Sequence, residues 1–210
     1  MPGAEWISWT STISNYQPQQ GFDFDFTDWP FNPNLNRASY DPEQGDRYYL
    51  FGTLAALDSP GEWHFDTDTN TVYFWSPGSA DPNTQEIFVK TERYTINLYE
   101  RERVNIRGLR LLGGGVNMNE AYDCVVEDCN MRYVNHAREC NGFLTDVLTG
   151  NYMSGANNIM RRCHIHHAGR SGIHDDGDNN TITECVIRDV NYDAAHTGSC
   201  LLYTSDAADE

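Results

Sequence analysis

Four short segments of the chain repeat one arrangement of apolar residues, and no other feature of the sequence restricts its possible folds as much. The segments are VNIRGLRL, CVVEDCNM, NIMRRCHI and NTITECVI. In each, an apolar residue is followed three and five places later by two more: Ile106, Leu109, Leu111; Val126, Cys129, Met131; Met160, Cys163, Ile165; Ile182, Cys185, Ile187. The segments lie 20, 34 and 22 residues apart. A period near 22 with short strands and polar turns is that of a chain wound into coils, each unable to bury its apolar side until the next stacks on it. The 34-residue interval reads as one coil with an insertion of about twelve residues, placed within Ala137 to Gly155 as a loop on one side of the solenoid. Cys129, Cys163 and Cys185 then form one column of buried thiols about 4.8 Å apart, packed as small apolar groups. Asn157, Asn158 and Asn179, Asn180 repeat at the same 22-residue step. Their amides are expected to form a ladder that satisfies backbone groups at the coil corners.

Upstream of the repeat the text changes. Residues 1 to about 46 are rich in Trp, Phe, Asn, Asp and Pro, and read as loops and short strands. From Arg47 to Lys90 come the strand-like runs RYYLFGTL, GEWHFD, TVYFW and EIFVK, of which the middle pair predicts a β-hairpin across DTDTN. Trp63 and Trp75 on its strands are expected to pack as core or cap rings, because the first coil needs its apolar end covered.

Three stretches together resemble the right-handed β-helix proteins found among polysaccharide lyases and glycoside hydrolases. LDSPGEWHFDTDTNTVYFWSPGSADP is similar to the entry module that often precedes the coils in such secreted proteins. INLYERERVNIRGLRLLGGG and CHIHHAGRSGIHDDGDNNTITECVIRDVNY resemble β-helix coils, the latter a complete turn. The resemblance runs from Leu57 to Asp193, about two thirds of the chain. It implies an all-β fold: a right-handed parallel β-helix, a pectate-lyase-like solenoid, with an N-terminal β-rich entry and capping region. The expected organisation is 1–93 for that region, 94–199 for an incomplete set of coils, and 200–210 as a separate tail. The tail, CLLYTSDAADE, back-translates into a string resembling a transposase-based sequencing adapter, and is expected to be a library artefact. A stack of so few coils with an open lower edge is expected to aggregate or to be partly disordered at that end.

The resemblance is specific for fold and loose for activity, since this architecture serves lyases, hydrolases, epimerases, adhesins and tailspikes. It implies a carbohydrate-active enzyme, a glycoside hydrolase before a polysaccharide lyase, with a noncatalytic glycan-binding or surface scaffold as the alternative. The expected partner is a polysaccharide or oligosaccharide, and the expected location is extracellular or periplasmic. The first ten residues lack the basic start and apolar run of a leader. No run approaches the roughly 20 apolar residues that span a bilayer, so membrane insertion is not expected. The formal net charge of −17, with Lys90 the single lysine, disfavours nucleic acid. It also favours neutral glycans, unless calcium or an arginine cluster neutralises a cleft locally.

Candidate chemistry gathers between His164 and His196. The period pairs His174 with His196, His167 with Asp189, and Arg170 with Tyr192 on neighbouring coils, within about 5 Å at the backbone. Catalytic candidates are Asp175, Asp176, Asp178, Asp189, His174 and His196; His167, Arg170, Tyr192 and Asp193 are the expected sugar contacts. Hydrolysis needs two carboxylates flanking the bond, about 5 Å apart for retention or 6.5–9.5 Å for inversion. The adjacent Asp175 and Asp176 resemble the double aspartate of polygalacturonases, although that family's surrounding motifs are absent. Elimination needs a base and a cation, for which the histidines, Arg170 and Arg188 qualify. DDGDNN lacks the full EF-hand pattern, so an ordinary turn is expected there and no cofactor, with calcium as the alternative. In CHIHH, alternation places His164 and His166 together on a solvent-facing side, which argues against zinc.

Overall fold

The computed structural model describes residues 10–17, 20–24, 45–136 and 150–192. These fall into two compact units, one comprising residues 45–89 and the other the remaining described residues. In the latter, β1 (Ile13–Gln17) and β2 (Gly21–Phe24) pair antiparallel.

In the 45–89 unit, β3 (Trp63–Asp66) and β4 (Thr71–Phe74) form an antiparallel hairpin with Trp63 opposite Phe74. Asp66 closes the turn by accepting from the backbone N–H groups of Asp68 at 2.9 Å and Thr69 at 3.2 Å. The Thr69 side chain first, and then these backbone bonds, hold its carboxyl below the usual aspartate range. The two tryptophans depart from the expected packing. Trp63 is 61% exposed and Trp75 40%, so neither ring is buried as a core residue.

The second unit holds β5 (Tyr94–Asn97), β6 (Asn105–Arg107), β7 (Arg110–Leu112), β8 (Gly115–Tyr122), β9 (Val125–Glu127) and β10 (Asn130–Arg132). It continues with β11 (Asn151–Ala156), β12 (Ile159–Arg161), β13 (His164–His166), β14 (Ile173–Asp175), β15 (Thr181–Thr183) and β16 (Val186–Arg188). Successive strands join three different four-stranded parallel sheets in rotation: β5-β8-β11-β14, β6-β9-β12-β15 and β7-β10-β13-β16. This is the connectivity expected of a β-helix solenoid. Each circuit of the chain places one strand in every sheet. The register agrees with the repeat: Ile106 opposite Val126, Val126 opposite Met160, and Met160 opposite Ile182. Leu111, Met131, Ile165 and Ile187 align likewise in the third sheet. The end of the expected insertion, 150–155, belongs to β11 or its immediate approach; 137–149 lie outside the described residues.

Inward residues stack into a single core of Leu98, Val116, Met118, Val126, Met131, Met153, Met160 and Ile165. Cys129 and Cys163 are each 2% exposed within it, whereas Cys185 in the last described coil is half-buried. The column of thiols therefore exists. Cys163 is pushed up by its contact with Cys185 and by burial, and Cys185 is drawn down to about 7 by the same contact. The asparagine ladder also forms. Asn179 Nδ2 donates to Asn157 Oδ1 at 2.7 Å on the outside. On the inside, Asn180 Oδ1 accepts from Asn158 N at 2.9 Å and Asn158 Oδ1 from Cys124 N at 3.1 Å.

The corners are sharper than the repeat alone revealed. One residue at each adopts a left-handed conformation, in three columns: Arg103, Asp123, Asn157, Asn179; Gly108, Asp128, Arg162, Glu184; and Gly113, Tyr133, His167, Asp189. Each column advances by the same 20, 34 and 22 residues. Ten of these twelve are not glycine, although αL backbone costs an L-residue roughly 1–2 kcal/mol. Stacking offsets that cost, because the N–H at a corner donates to a carbonyl of the next coil. Examples are Asp123 to Ala156 at 3.1 Å, Asp128 to Arg161 at 3.2 Å and Tyr133 to His166 at 3.1 Å.

Gly155 is a stricter case. It sits at φ 82° in the bulge of β11, and a Cβ there would lie 2.1 Å from the Ala121 carbonyl oxygen. Gly155→Ala is expected to lower unfolding free energy by about 2–4 kcal/mol, through both backbone strain and this clash. A urea titration showing an unchanged midpoint would contradict the placement of β11 against β8.

Candidate functional site

The outer face of the β5-β8-β11-β14 sheet holds a column of polar side chains. Asn97 lies opposite Asn117, Asn117 opposite Tyr152, and Tyr152 opposite His174. Side chains at alternate positions of a strand share a face, and the inward neighbours here are Met118 and Met153, both fully buried. Asn117 Nδ2 donates to Asn97 Oδ1 at 2.9 Å, and Ser154 Oγ donates to Asn119 Oδ1 at 2.7 Å. The column ends in a three-residue group. Asp176 Oδ2 lies 3.0 Å from His174 Nε2 and accepts from the Tyr152 hydroxyl at 3.3 Å. The Tyr152 and His174 rings meet edge to face, with centroids 5.5 Å apart.

This geometry assigns protons. The Asp176 oxygen beside Nε2 fits the His174 tautomer that carries its hydrogen on Nε2 and leaves the Nδ1 lone pair free. Burial first, and then the Asp176 charge, push the Tyr152 hydroxyl above the usual tyrosine range, so it stays a donor. His174 is 23% exposed at its side chain and Asp176 57%, so the pair is fixed and still open to solvent.

The sequence candidates do not form the single surface expected of them. Asp175 occupies the strand position held by Met153 and Met118 in the coils before it. Its Oδ1 accepts from Gly177 N at 3.1 Å and from Asn180 Nδ2 at 2.7 Å, which makes it the closing residue of the DDGDNN turn. Asp178 is exposed and bonds through its backbone, its N–H to Gly155 at 2.8 Å and its carbonyl to Asn157 at 3.1 Å. Asp193 and His196 lie outside the described residues. Arg170 is 1% exposed, so its guanidinium does not face outward for a sugar as expected. Among the described residues, no three His, Cys, Asp or Glu side chains converge as metal ligands.

His167, Asp189 and Tyr192 gather instead at the corner that follows β13 and β16. His167 and Asp189 share the left-handed column, with Nδ1 and Oδ2 3.9 Å apart, and the Tyr192 ring stacks over His167 at 6.0 Å. Tyr133 meets the same imidazole edge-on at 5.3 Å. No hydrogen bond or ion pair joins this corner to the His174 group among the described residues. His166 also differs from expectation, being only 8% exposed. Its Nδ1 lies 2.9 Å from His167 Nδ1 and its Nε2 3.3 Å from Asn130 Oδ1.

Burial, followed by the charges of His164, Arg188, His167 and Arg132, lowers the affinity of His166 for a proton. The unfolded chain therefore binds this proton more readily than the native one. Stability is complete above the unfolded-state value near 6.5 and falls as the pH drops below it, until folded His166 protonates as well. His166→Gln is expected to give a shallower loss of thermal midpoint between pH 7 and 5. An identical slope would contradict a neutral, buried His166.

Tyr152 was legible but missed: the 22-residue step that joins His174 to His196 also joins Tyr152 to His174. No family model matches the chain, and neither a curated protein nor a solved structure matches it.

Proposed function

We propose that this chain belongs to a secreted carbohydrate-active β-helix enzyme, wound right-handed in the manner of the pectate-lyase-like solenoids, whose glycan lies along the Asn97–Asn117–Tyr152–His174 face. Right-handed winding is the rule for parallel crossovers. The observation that supports the reading most is the His174–Asp176–Tyr152 group: an oriented, partly exposed imidazole at the end of a row of amides suited to sugar hydroxyls.

The geometry favours elimination over hydrolysis. Asp175 Oδ1 already accepts two bonds of the turn, whereas the His174 group offers the positioned imidazole that elimination can use as its base. In elimination from a uronate glycan, His174 Nδ1 takes the proton beside the carboxylate and the freed electron pair forms a carbon–carbon double bond. The glycosidic oxygen leaves and takes a proton from water. Incubating the full chain with polygalacturonate, alginate and neutral glucans tests this. An ultraviolet-absorbing unsaturated product from a uronate polymer is expected. Reducing ends released from a neutral glucan without unsaturation would overturn elimination, and binding without cleavage of any polymer would favour the scaffold alternative.

A further inference from the structure

The outer face of β7-β10-β13-β16 has a charge opposite to that of the whole chain. The register places Arg110, Asn130, His164 and Val186 in one outward column, and Leu112, Arg132, His166 and Arg188 in the other. Three of the chain's 14 lysines and arginines thus stand on one small sheet of a protein with net charge −17. The neighbouring sheet shows what neutralised arginines look like here. Arg107, Arg161 and Arg162 each reach Glu127 or Asp128 at 2.6–3.0 Å, and those carboxyls lie below their usual range because of these bonds. On the β7-β10-β13-β16 face only Arg188 meets an acid, Asp189 at the corner. Arg110 and Arg132 have no acidic partner within salt-bridge distance among the described residues.

The face is also held in shape. Arg132 donates to the Tyr133 hydroxyl at 2.8 Å and lies over its ring, 4.5 Å from the centroid. Arg188 Nε donates to His164 Nε2 at 3.1 Å. His166 fills the step between Arg132 and Arg188, nine-tenths buried and bonded to Asn130 and His167. Arg132 on β10 and Arg188 on β16 are separated by one strand, hence by about 9.6 Å at the backbone. Ordered guanidinium groups at fixed spacing, two of the three without an acidic partner among the described residues, match carboxylate or sulfate groups repeated along a chain, which arginine can take by two parallel N–H bonds.

We propose that the outer face of β7-β10-β13-β16 binds an anionic polysaccharide through Arg110, Arg132 and Arg188, as a binding surface on a different sheet from the proton-transfer group. It rests on the glycan reading above for the polymer and not for the charge. Such a surface also answers the electrostatic objection to a uronate substrate, because it is a local positive region on an acidic protein.

The test is affinity electrophoresis of the full chain in gels containing polygalacturonate, dextran sulfate or neutral dextran. Retardation by one or both anionic polymers and none by dextran is expected, weakening as salt is added. Dextran sulfate without polygalacturonate would identify the anion as sulfate, and the reverse as carboxylate. Arg132→Gln with Arg188→Gln is expected to weaken retention at least about tenfold, and the double lysine variant to keep most of it. Arg107→Gln, in the neutralised ladder next door, serves as the control. Equal loss with Arg107→Gln, or no retention by either anionic polymer, would overturn the proposal. Retention without cleavage would leave this surface standing and remove the elimination reading. Cleavage of polygalacturonate at equal rate and KM by the double glutamine variant, with retention unchanged, would remove this surface and keep elimination.

Discussion

His174→Gln is expected to reduce cleavage of a uronate polymer by about 10²- to 10⁴-fold, the range a positioned general base contributes. Glutamine can still donate toward Asp176, so the contact at 3.0 Å survives while the basic Nδ1 is lost. The loss should therefore appear in kcat, with little change in KM or in thermal midpoint. Asp176→Asn supplies the second reading. It keeps the size of the side chain, removes the charge that selects the His174 tautomer, and is expected to lower kcat by a smaller factor. Tyr152→Phe removes only the 3.3 Å bond to Asp176 and should be the mildest of the three. Should His174→Gln cleave as fast as the parent, the base lies elsewhere and the face retains only a binding role.

Asn158→Ala is expected to be the most damaging change to the solenoid outside its apolar column. The side chain is fully buried. Its Oδ1 accepts from Cys124 N at 3.1 Å, and its Nδ2 donates to Ala121 O at 2.8 Å and Ser154 O at 3.2 Å. Alanine leaves those backbone groups inside the coil with no water to replace the amide. With each buried group left unsatisfied near the lower end of the roughly 1–3 kcal/mol range, the three together cost about 3–5 kcal/mol. For a chain of this size that corresponds to a fall in Tm of about 6–20 °C. Asn179→Ala removes an outer rung, the 2.7 Å bond to Asn157, where water can take over, and should cost under about 1 kcal/mol. Differential scanning calorimetry of the two variants checks the contrast. Equal midpoints would mean that the inner ladder does not hold the coils together.

The coils were legible because apolar residues three and five places apart can be counted, and strand pairing kept that register from Ile106 to Ile187. The asparagine ladder was legible for the same reason. The corners were not, because left-handed backbone is usually signalled by glycine, and here Arg103, Arg162, Tyr133 and Glu184 adopt it under the influence of stacking. The site was legible only in part. Spacing along the chain placed His167 and Asp189 together, yet it could not reveal that Asp175, itself exposed, closes a turn with Gly177 and Asn180 while Asp176, one residue on, meets His174. Arg170 and His166 show the converse. Both look like surface residues in the sequence, and tertiary packing buries them.

The three corner columns, advancing together by 20, 34 and 22 residues, make the coil a unit of inheritance. An in-frame duplication of one whole circuit would preserve every corner, add a strand to all three sheets, and copy whatever side chains that circuit displays. A glycan-contacting row could in this way be lengthened rung by rung. A duplication that began and ended within different sheets would instead put the copied corners out of phase with the stack.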